Sequence, residues 1–250
     1  METRPIIVTR DLTKIYNGRK AVDNLTLSIN DGEIFGFLGP NGAGKTTTLL
    51  MLIGLTEPTS GFAEVMGLNP VRDAVKIKSK IAYLQENMGF YSDLNARQML
   101  GFIAELNGLY GSDADALIDS SLETVGLSAE ASKKISAYSR GMRQRLGIAE
   151  LLLKDAKIAF LDEPTIGLDP DGANRLIELI QTLCSERHMT VLLSSHMLDQ
   201  VQKMCHRVGI MIKGKMVAQG PMEQLAKEKL GVDNQAYSLE EIYMRYFKEA

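Results

Sequence analysis

A glycine-rich stretch over residues 39–46 constrains the fold of this chain more than any other feature of its sequence. The stretch reads G-P-N-G-A-G-K-T and matches the pattern G-x-x-x-x-G-K-[S/T]. A mostly apolar run at residues 33–38, typical of a strand buried on both faces, precedes it, and a helix-like stretch follows until near Gly54. This strand–loop–helix context favours a phosphate-binding loop over a chance match and predicts that the chain binds a nucleotide.

The residue types in this loop suit contacts to phosphate groups. Glycines let successive backbone N–H groups point inward, and the following helix N-terminus favours an anion. Lys45 would reach the β- and γ-phosphates, and the Thr46 hydroxyl would ligate Mg²⁺. The predicted nucleotide-binding residues of this segment are Gly39, Asn41, Gly42, Ala43, Gly44, Lys45, Thr46 and Thr47.

Apolar runs and their spacing predict the remaining architecture. Patterns typical of strands occur at residues 6–8, 25–29, 158–161, 191–193 and 208–212. A predicted helix at residues 173–187 lies between two of these strands and favours βαβ units. Residues 94–153 change to helical spacing, with Gly111 and Gly126 predicted as helix stops. The predicted fold class is α/β, with a P-loop NTPase core on a mostly parallel sheet, an N-terminal antiparallel β part and an inserted α-helical subdomain.

Composition bounds the compartment and the partners. The 250 residues carry a formal net charge of −3 and lack the basic excess of a nucleic-acid-binding protein, so no nucleic acid is expected as a partner. Cys184 and Cys205 have no partner at metal-ligand spacing, which favours a reducing, cytosolic compartment. Residues 1–10 carry no secretory signal, and no apolar run approaches the ~20 residues of a membrane-spanning helix.

Two acidic residues follow the buried strand predicted at residues 158–161. Asp162 would stand at the carboxyl end of this strand, where it suits the Mg²⁺ shell opposite Thr46. Glu163, one residue further on, suits the general base that polarises the attacking water. An Asp-Glu pair alone is a weak signal, but its place after an apolar run in a chain with a phosphate loop makes it a strong one.

A histidine follows the strand predicted at residues 191–193 through two serines. Ligands of parallel sheets bind at the carboxyl ends of the strands, so we expect His196 near the γ-phosphate. The predicted catalytic residues are therefore Lys45, Glu163 and His196.

Two further segments link these motifs to one family. Residues 138–145 read Y-S-R-G-M-R-Q-R and resemble the ABC signature, whose usual form is L-S-G-G-Q followed by x-Q-R. Residues 162–170 read D-E-P-T-I-G-L-D-P and resemble the Walker B and D-loop run of the same family. The similarity covers roughly residues 5–225, with the motifs in the family's order. The chain thus resembles the ATP-binding subunits of ABC transporters, in particular the branch that exports drugs, lipids and ions.

The resemblance implies an ATPase that uses ATP and Mg²⁺. ATP would lie between the phosphate loop of one subunit and the signature of another, in a homodimer or a heterodimer. Tyr16 matches the aromatic residue that stacks on adenine, Ser139 and Gly141 match signature positions that contact the γ-phosphate, and Asp169 matches the D-loop aspartate at the dimer interface. A separate transmembrane permease would carry the substrate, with this chain peripheral on the cytoplasmic face of the cell membrane.

The sequence departs from the family pattern at three places. Arg140 stands where the signature normally has a glycine, and Met142 stands where glutamine is usual. In the Q-loop, the alignment puts Glu86 rather than Gln85 at the usual glutamine position. Either residue could approach the metal-bound nucleotide, and the sequence does not choose between them.

The predicted domain organisation is an ABC ATPase domain over residues 1–230, with the helical subdomain at about 87–153, and a C-terminal helical tail over residues 231–250. The tail carries an S-x-x-E capping box at residues 238–241, and we expect its apolar face to pack on its own domain. This face consists of Leu239, Ile242, Tyr243, Tyr246 and Phe247.

The predicted function is an ATP-hydrolysing motor subunit whose ATP-driven dimerisation moves a substrate, by export, through the permease. The alternative is a soluble ABC ATPase in translation or DNA maintenance. The transporter is favoured because the chain carries neither a long coiled-coil insertion nor a second cassette.

Overall fold

The computed structural model describes residues 5–86, 88–154, 156–205, 207–231 and 237–249. The strands are β1 (Pro5–Tyr16), β2 (Arg19–Asn30), β3 (Ile34–Leu38), β4 (Ser60–Val65), β5 (Ile81–Leu84), β6 (Ile158–Asp162), β7 (Thr190–Ser195), β8 (Arg207–Ile212) and β9 (Lys215–Pro221). The helices are α1 (Lys45–Leu52), α2 (Ala74–Lys78), α3 (Ala96–Leu106), α4 (Gly111–Thr124), α5 (Arg140–Leu152), α6 (Pro170–Arg187), α7 (Leu198–Met204), α8 (Met222–Leu230) and α9 (Leu239–Glu249). None of these helices is long and apolar enough to cross a bilayer.

The smaller sheet is the predicted N-terminal antiparallel part. Its strand order is β2-β1-β4, and both pairs are antiparallel. The tight turn between β1 and β2 is Asn17-Gly18, with φ values of 49° and 78°, which suits a hairpin because both residues tolerate positive φ. Leu25, Leu27 and Ile29 alternate along β2 and are buried, as the period-two pattern predicted.

The larger sheet has the order β5-β6-β7-β3-β8-β9. Its first five strands run parallel, and β9 joins the edge antiparallel. Every residue of β3, β6 and β7 is buried, which explains their continuous apolar sequences. In the register of these strands, Leu38 pairs with Ser195 and Asp162 pairs with Ser194. The carboxyl ends of three central strands therefore meet at one edge of the sheet.

The predicted helical region contains α3, α4 and α5, which contact one another, and α5 also contacts β5. Helix α5 approaches β5 closely at Gly147, where an added Cβ would lie 2.4 Å from Leu84 Cδ1. The prediction that Gly111 stops a helix is wrong, because Gly111 is the first residue of α4. The stop lies at Gly108, which has a φ of 78° and donates its N–H to Glu105 O at 3.0 Å.

The C-terminal helix α9 packs on the rest of the chain through α7 and α8. Its capping box is formed, since Ser238 Oγ accepts from Glu241 N at 3.1 Å and Glu241 Oε2 accepts from Ser238 N at 3.2 Å. Leu239, Ile242 and Tyr246 are buried in the main core and Tyr243 packs against it, which confirms the predicted packing for these four residues. The prediction is wrong for Phe247, which is exposed and stacks on Tyr243. Residue 87 of the predicted subdomain, and residues 232–236 and 250 of the predicted tail, lie outside the described residues.

Candidate active site

The phosphate loop (residues 39–46) connects β3 to α1 and is shaped by its glycines. Gly44 has a φ of 109°, and a Cβ added there would lie 2.3 Å from the carbonyl oxygen of Ala21. Only glycine fits that position, because both the backbone conformation and the space exclude a side chain. The Gly214 N–H donates to Ala43 O at 3.0 Å and so holds the loop against the β8–β9 hairpin.

Lys45 lies at the mouth of the phosphate loop with its side chain buried. Its Nζ donates to Gly39 O at 2.7 Å and lies 3.6 Å from Glu163 Oε1. Burial lowers the pKa of Lys45 below its ordinary value, and the Glu163 carboxylate partly offsets this effect. The ammonium thus faces the cleft with a long ion pair and a backbone contact, both of which phosphate oxygens can replace.

Asp162 is the last residue of β6, and each of its carboxylate oxygens accepts a hydrogen bond from a hydroxyl group. Thr46 Oγ1 donates to Oδ2 at 2.9 Å, and Ser194 Oγ donates to Oδ1. The second contact follows from the strand register, which sets Ser194 of β7 directly beside Asp162. These bonds fix the carboxylate at the carboxyl edge of the sheet, next to the first turn of α1.

The Thr46 hydroxyl and the Asp162 carboxylate fit Mg²⁺, which prefers hard oxygen ligands and often has only one or two carboxylates from the protein. Among the described residues, no cluster of three or more His, Cys, Asp or Glu side chains forms a self-sufficient metal site. Two protein oxygens at the phosphate loop therefore suit a Mg²⁺ ion that completes its shell with substrate phosphates and water.

Glu163 and His196 form a pair beside Asp162. Glu163 is only 6% exposed, has a φ of 50°, and holds His196 Nδ1 at 2.9 Å from its Oε2. Its other oxygen, Oε1, has no hydrogen-bond partner among the described residues. A positive φ at a non-glycine residue stores strain and is often found at functional sites. A buried carboxylate oxygen that still lacks a donor is suited to accept a proton from water.

A cleft of about 320 Å³ lies between the phosphate loop and the two acidic residues, Asp162 and Glu163. Its lining residues are Ala21, Asn41, Gly42, Gly44, Lys45, Thr46, Thr47, Glu86, Asp162 and Glu163. Glu86 is a lining residue of this cleft, whereas Gln85 lines a neighbouring groove between β5 and α3. Of the two Q-loop candidates, Glu86 therefore lies beside the phosphate loop and Gln85 lies beside α3.

Six residues with predicted nucleotide roles lie outside the lining of this cleft: Gly39 and Ala43 belong to the phosphate loop itself, and the other four lie elsewhere. Tyr16 is exposed at the end of β1, with Lys14 Nζ 4.9 Å from the centre of its ring. Ser139 caps α5 by accepting from Met142 N at 3.2 Å, and Asp169 caps α6 by accepting from Gly172 N. Gly141 lies in the first turn of α5. Ser139, Gly141 and Asp169 thus lie at the N-terminal ends of α5 and α6, outside the cleft.

Two residues at the site, Ser194 and Ala21, are not among the residues that the sequence predicts there. Ser194 carries a signal that could identify it, because a serine directly after an apolar strand run is an available donor for the acid of a neighbouring strand. Ala21 contributes from β2, and its apolar side chain gave no signal.

The parallel sheet, the phosphate loop with Lys45 and Thr46, and Asp162 at the end of β6 define a P-loop nucleoside triphosphatase. The family described as ABC transporter matches residues 22–166, which is more than half of the chain. The chain belongs to the ABC transporter family and is an ATPase of that family.

Related proteins support this assignment. The chain is 44% identical over 222 residues to the bacitracin transport ATP-binding protein BcrA of Bacillus licheniformis, covering 89% of this chain and 72% of that protein. It is 35% identical to the linearmycin resistance ATP-binding protein LnrL of Bacillus subtilis, covering 91% and 73%. A solved structure described as an ATP-binding subunit of an ABC transporter superimposes with a TM-score of 0.85 at 26% identity, covering 97% of this chain and 99% of the other.

Proposed function

We propose that the chain is the ATP-hydrolysing motor subunit of an ABC exporter, which dimerises on ATP and drives a separate transmembrane permease. The observation that carries the proposal is the meeting of Lys45, Asp162, Glu163 and His196 at the carboxyl edge of the central strands. Export is the favoured direction because similar proteins are named for bacitracin transport and linearmycin resistance. The same names favour an antibiotic-like or peptide substrate.

ATP would bind with its phosphates in the phosphate loop, where backbone N–H groups and Lys45 neutralise their charge. Thr46 and Asp162 would hold Mg²⁺, with Glu86 close to it, and the ion would offset the charge on the β- and γ-phosphates. Glu163 accepts the proton of the attacking water through Oε1. His196 keeps the Glu163 carboxylate oriented through the 2.9 Å contact to Oε2.

The proposed dimer closes this cleft with residues of a second copy or of a related subunit. Ser139, at the N-terminal end of α5, is exposed and would present the helix end to the γ-phosphate held by the other subunit. Gly141 and Asp169 would contribute to the same interface, and Tyr16 would stack on adenine. Because the contacts from Ser139, Gly141 and Asp169 would come from the other subunit, hydrolysis would require the dimer.

The permease would dock at a groove of about 300 Å³ beside the nucleotide cleft. Tyr91 and Phe102 are exposed at this groove and contact each other edge to face at 5.8 Å between ring centres. Gln85 lines the groove while the next residue, Glu86, lines the nucleotide cleft. This adjacency supports a short route from nucleotide to permease and a peripheral position on the cytoplasmic face of the membrane.

The ATPase mechanism is tested by Glu163→Gln. The variant keeps the shape of the side chain, so it should still bind ATP, but it should hydrolyse ATP at least ~100-fold more slowly because the general base is lost. Glu186→Gln, an exposed substitution of the same kind on α6, is the control and should keep the wild-type rate. Sedimentation of the Glu163→Gln chain with and without ATP reports dimerisation. Near-normal turnover by Glu163→Gln would remove Glu163 from the mechanism.

The permease is tested by isolating the tagged chain from detergent-solubilised native membranes and identifying the associated proteins by mass spectrometry. A stoichiometric polytopic membrane protein would support the motor role, and its sequence would bear on the direction of transport. Recovery of ribosomal or other soluble proteins alone would refute the motor role, leave the ATPase activity standing, and favour a soluble ABC ATPase.

A further inference from the structure

Arg140, the residue that departs from the signature pattern, contacts the segment that follows the catalytic acids. We define this segment, residues 163–169, as the Glu163 turn. A Cβ added at Gly167 would lie 2.7 Å from Arg140 Nη1, 2.8 Å from Cζ and 2.8 Å from Nε. The three heavy atoms nearest to that point all belong to the guanidinium group. Arg140 therefore covers the Glu163 turn from the first position of α5.

The geometry is that of a stacked, planar contact. A point that is equally far from three bonded atoms of a planar group, at more than a bond length, lies above the face of the group and not at its edge. The guanidinium face of Arg140 thus lies over the position that a side chain at Gly167 would occupy, and no hydrogen bond joins the guanidinium to any residue that the structure describes. Within the described part of the chain, no carboxylate pairs with Arg140, so this stacking is its specific contact. Gly167, with a φ of 70°, leaves room for the flat group.

The Glu163 turn is a compact unit that connects the proposed general base to α6. Ile166 N donates to Glu163 O and Leu168 N donates to Thr165 O, each at 3.2 Å. Asp169 then caps α6 through its bond to Gly172 N. Gly167 is thus flanked by two residues, Ile166 and Leu168, whose N–H groups bond back to the Glu163 end of the turn. The packing of α5 on the turn also includes Leu168, because a Cβ added at Gly141 would lie 3.5 Å from its Cδ2.

We propose that Arg140 is a positioning residue that couples the two ATP sites of the dimer. The inference rests on the proposed function. In that dimer, the N-terminal end of α5 completes the partner's site, whereas the Glu163 turn belongs to the subunit's own site. The stacked guanidinium joins these two segments within one subunit, so a shift of α5 on the partner's nucleotide moves the Glu163 turn as well. Binding of ATP at one site thereby favours the competent arrangement at the other.

The first test is the ATP dependence of hydrolysis by the full chain. Two coupled sites give a Hill coefficient between 1 and 2 for the wild type, and Arg140→Ala should lower it to about 1. The half-saturating ATP concentration should change by about 2- to 30-fold, the range for substitutions that weaken coupling. Arg140→Lys keeps the charge without the planar face and should behave like Arg140→Ala.

Arg143→Ala is the matched control. Arg143 lies one turn further along the same helix, is exposed, and carries the same charge, but none of its atoms is among those nearest to Gly167. This variant should keep the wild-type Hill coefficient. An equal loss of cooperativity in Arg143→Ala would overturn the inference in favour of a simple charge effect. A wild-type Hill coefficient in Arg140→Lys would do the same. A wild-type Hill coefficient of 1 would overturn it as well.

The second test follows the turn itself by hydrogen exchange, read by mass spectrometry on peptides covering residues 163–169. Arg140→Ala should speed exchange of the Ile166 and Leu168 amides, whereas Arg143→Ala should not. Unchanged exchange in Arg140→Ala would show that the stacking does not hold the turn. Faster exchange with an unchanged Hill coefficient would reduce Arg140 to a structural contact and overturn the coupling. Absence of any ATP hydrolysis by the wild-type chain would instead contradict the proposed function.

Discussion

Ser194→Ala is the substitution whose effect the structure defines most sharply. Ser194 is fully buried, and its hydroxyl donates to Oδ1 of Asp162, which is 5% exposed. Alanine removes the donor and leaves a buried, charged oxygen without it. A hydrogen bond to a charged group contributes about 1.5–3 kcal/mol, and a buried acceptor left without its donor loses that contribution. The free energy of unfolding should therefore fall by about 1.5–3 kcal/mol.

The expected loss is measurable by thermal or denaturant unfolding. For a domain of this size, 1 kcal/mol shifts Tm by about 2–4 °C, so the Tm of Ser194→Ala should fall by about 3–12 °C. Ser195→Ala is the control on the same strand. Ser195 is also buried, but its Oγ accepts from Met197 N at 2.9 Å and involves no charge. Its loss should cost about 0.5–1.5 kcal/mol, the range for neutral hydrogen bonds.

Combining Ser194→Ala with Asp162→Asn measures how much of the cost of Ser194→Ala depends on the negative charge of Asp162. In an Asp162→Asn background the carboxylate is gone, so the additional cost of Ser194→Ala should fall to that of a neutral hydrogen bond, about 1 kcal/mol. The difference between the two backgrounds is the coupling between Ser194 and the Asp162 charge. The reasoning is refuted if Ser194→Ala destabilises the chain no more than Ser195→Ala, or if its cost is the same in both backgrounds.

Two further predictions concern neighbouring carboxylates. Because Glu86 lines the nucleotide cleft and Gln85 lines the adjacent groove, Glu86→Ala should weaken the apparent Mg²⁺ dependence of ATP hydrolysis by about 10-fold. Gln85→Ala should leave this Mg²⁺ titration near that of the wild type, and a stronger effect at Gln85 would reverse the assignment. Burial raises the pKa of Glu150, so its contribution to stability is present at low pH and is lost as the pH rises through the folded-state pKa. Glu150→Gln should therefore raise Tm relative to the wild type at pH 8, by about 1–2 °C for 0.5 kcal/mol, and by less at pH 4. An equal Tm difference at both pH values would contradict the burial of a charged Glu150.

The sequence predicts the catalytic side of the fold well because its central strands are buried on both faces. Apolar runs mark β3, β6 and β7, and polar site residues stand at the carboxyl ends of two of them, Asp162 in β6 and Ser194 in β7. The helical region is less readable, since several glycines there occupy left-handed conformations. Gly108 and Gly111 have φ values of 78° and 70°, yet one follows a helix and the other begins the next. Composition alone does not separate these two uses of glycine.

The pairing of Ser194 with Asp162 could not be predicted because it depends on the register between β6 and β7. Each strand is apparent in the sequence, but a shift of one residue would turn Ser194 to the other face of the sheet. Which of Gln85 and Glu86 faces the nucleotide cleft could not be predicted for a similar reason. Both residues follow β5 directly, and only the path of the chain beyond Leu84 decides which one turns toward the phosphate loop.

Asp169 shows why a motif match does not by itself assign a role. Its side chain accepts a hydrogen bond from Gly172 N at the start of α6, with Pro170 at the first helical position, and aspartate is favoured there in any helix. Ser139 serves α5 in the same way. Glu163 differs, because its buried Oε1 has no hydrogen-bond partner among the described residues, and no helix or turn accounts for that cost. A satisfied polar group is explained by the fold that it stabilises, whereas a buried carboxylate oxygen without a hydrogen-bond donor at the edge of the nucleotide cleft is available to a bound water. Glu163 Oε1 is ion-paired with Lys45 Nζ at 3.6 Å but accepts no hydrogen bond within the described residues, and this free acceptor is stronger support for catalysis in this chain than the motif in which it stands.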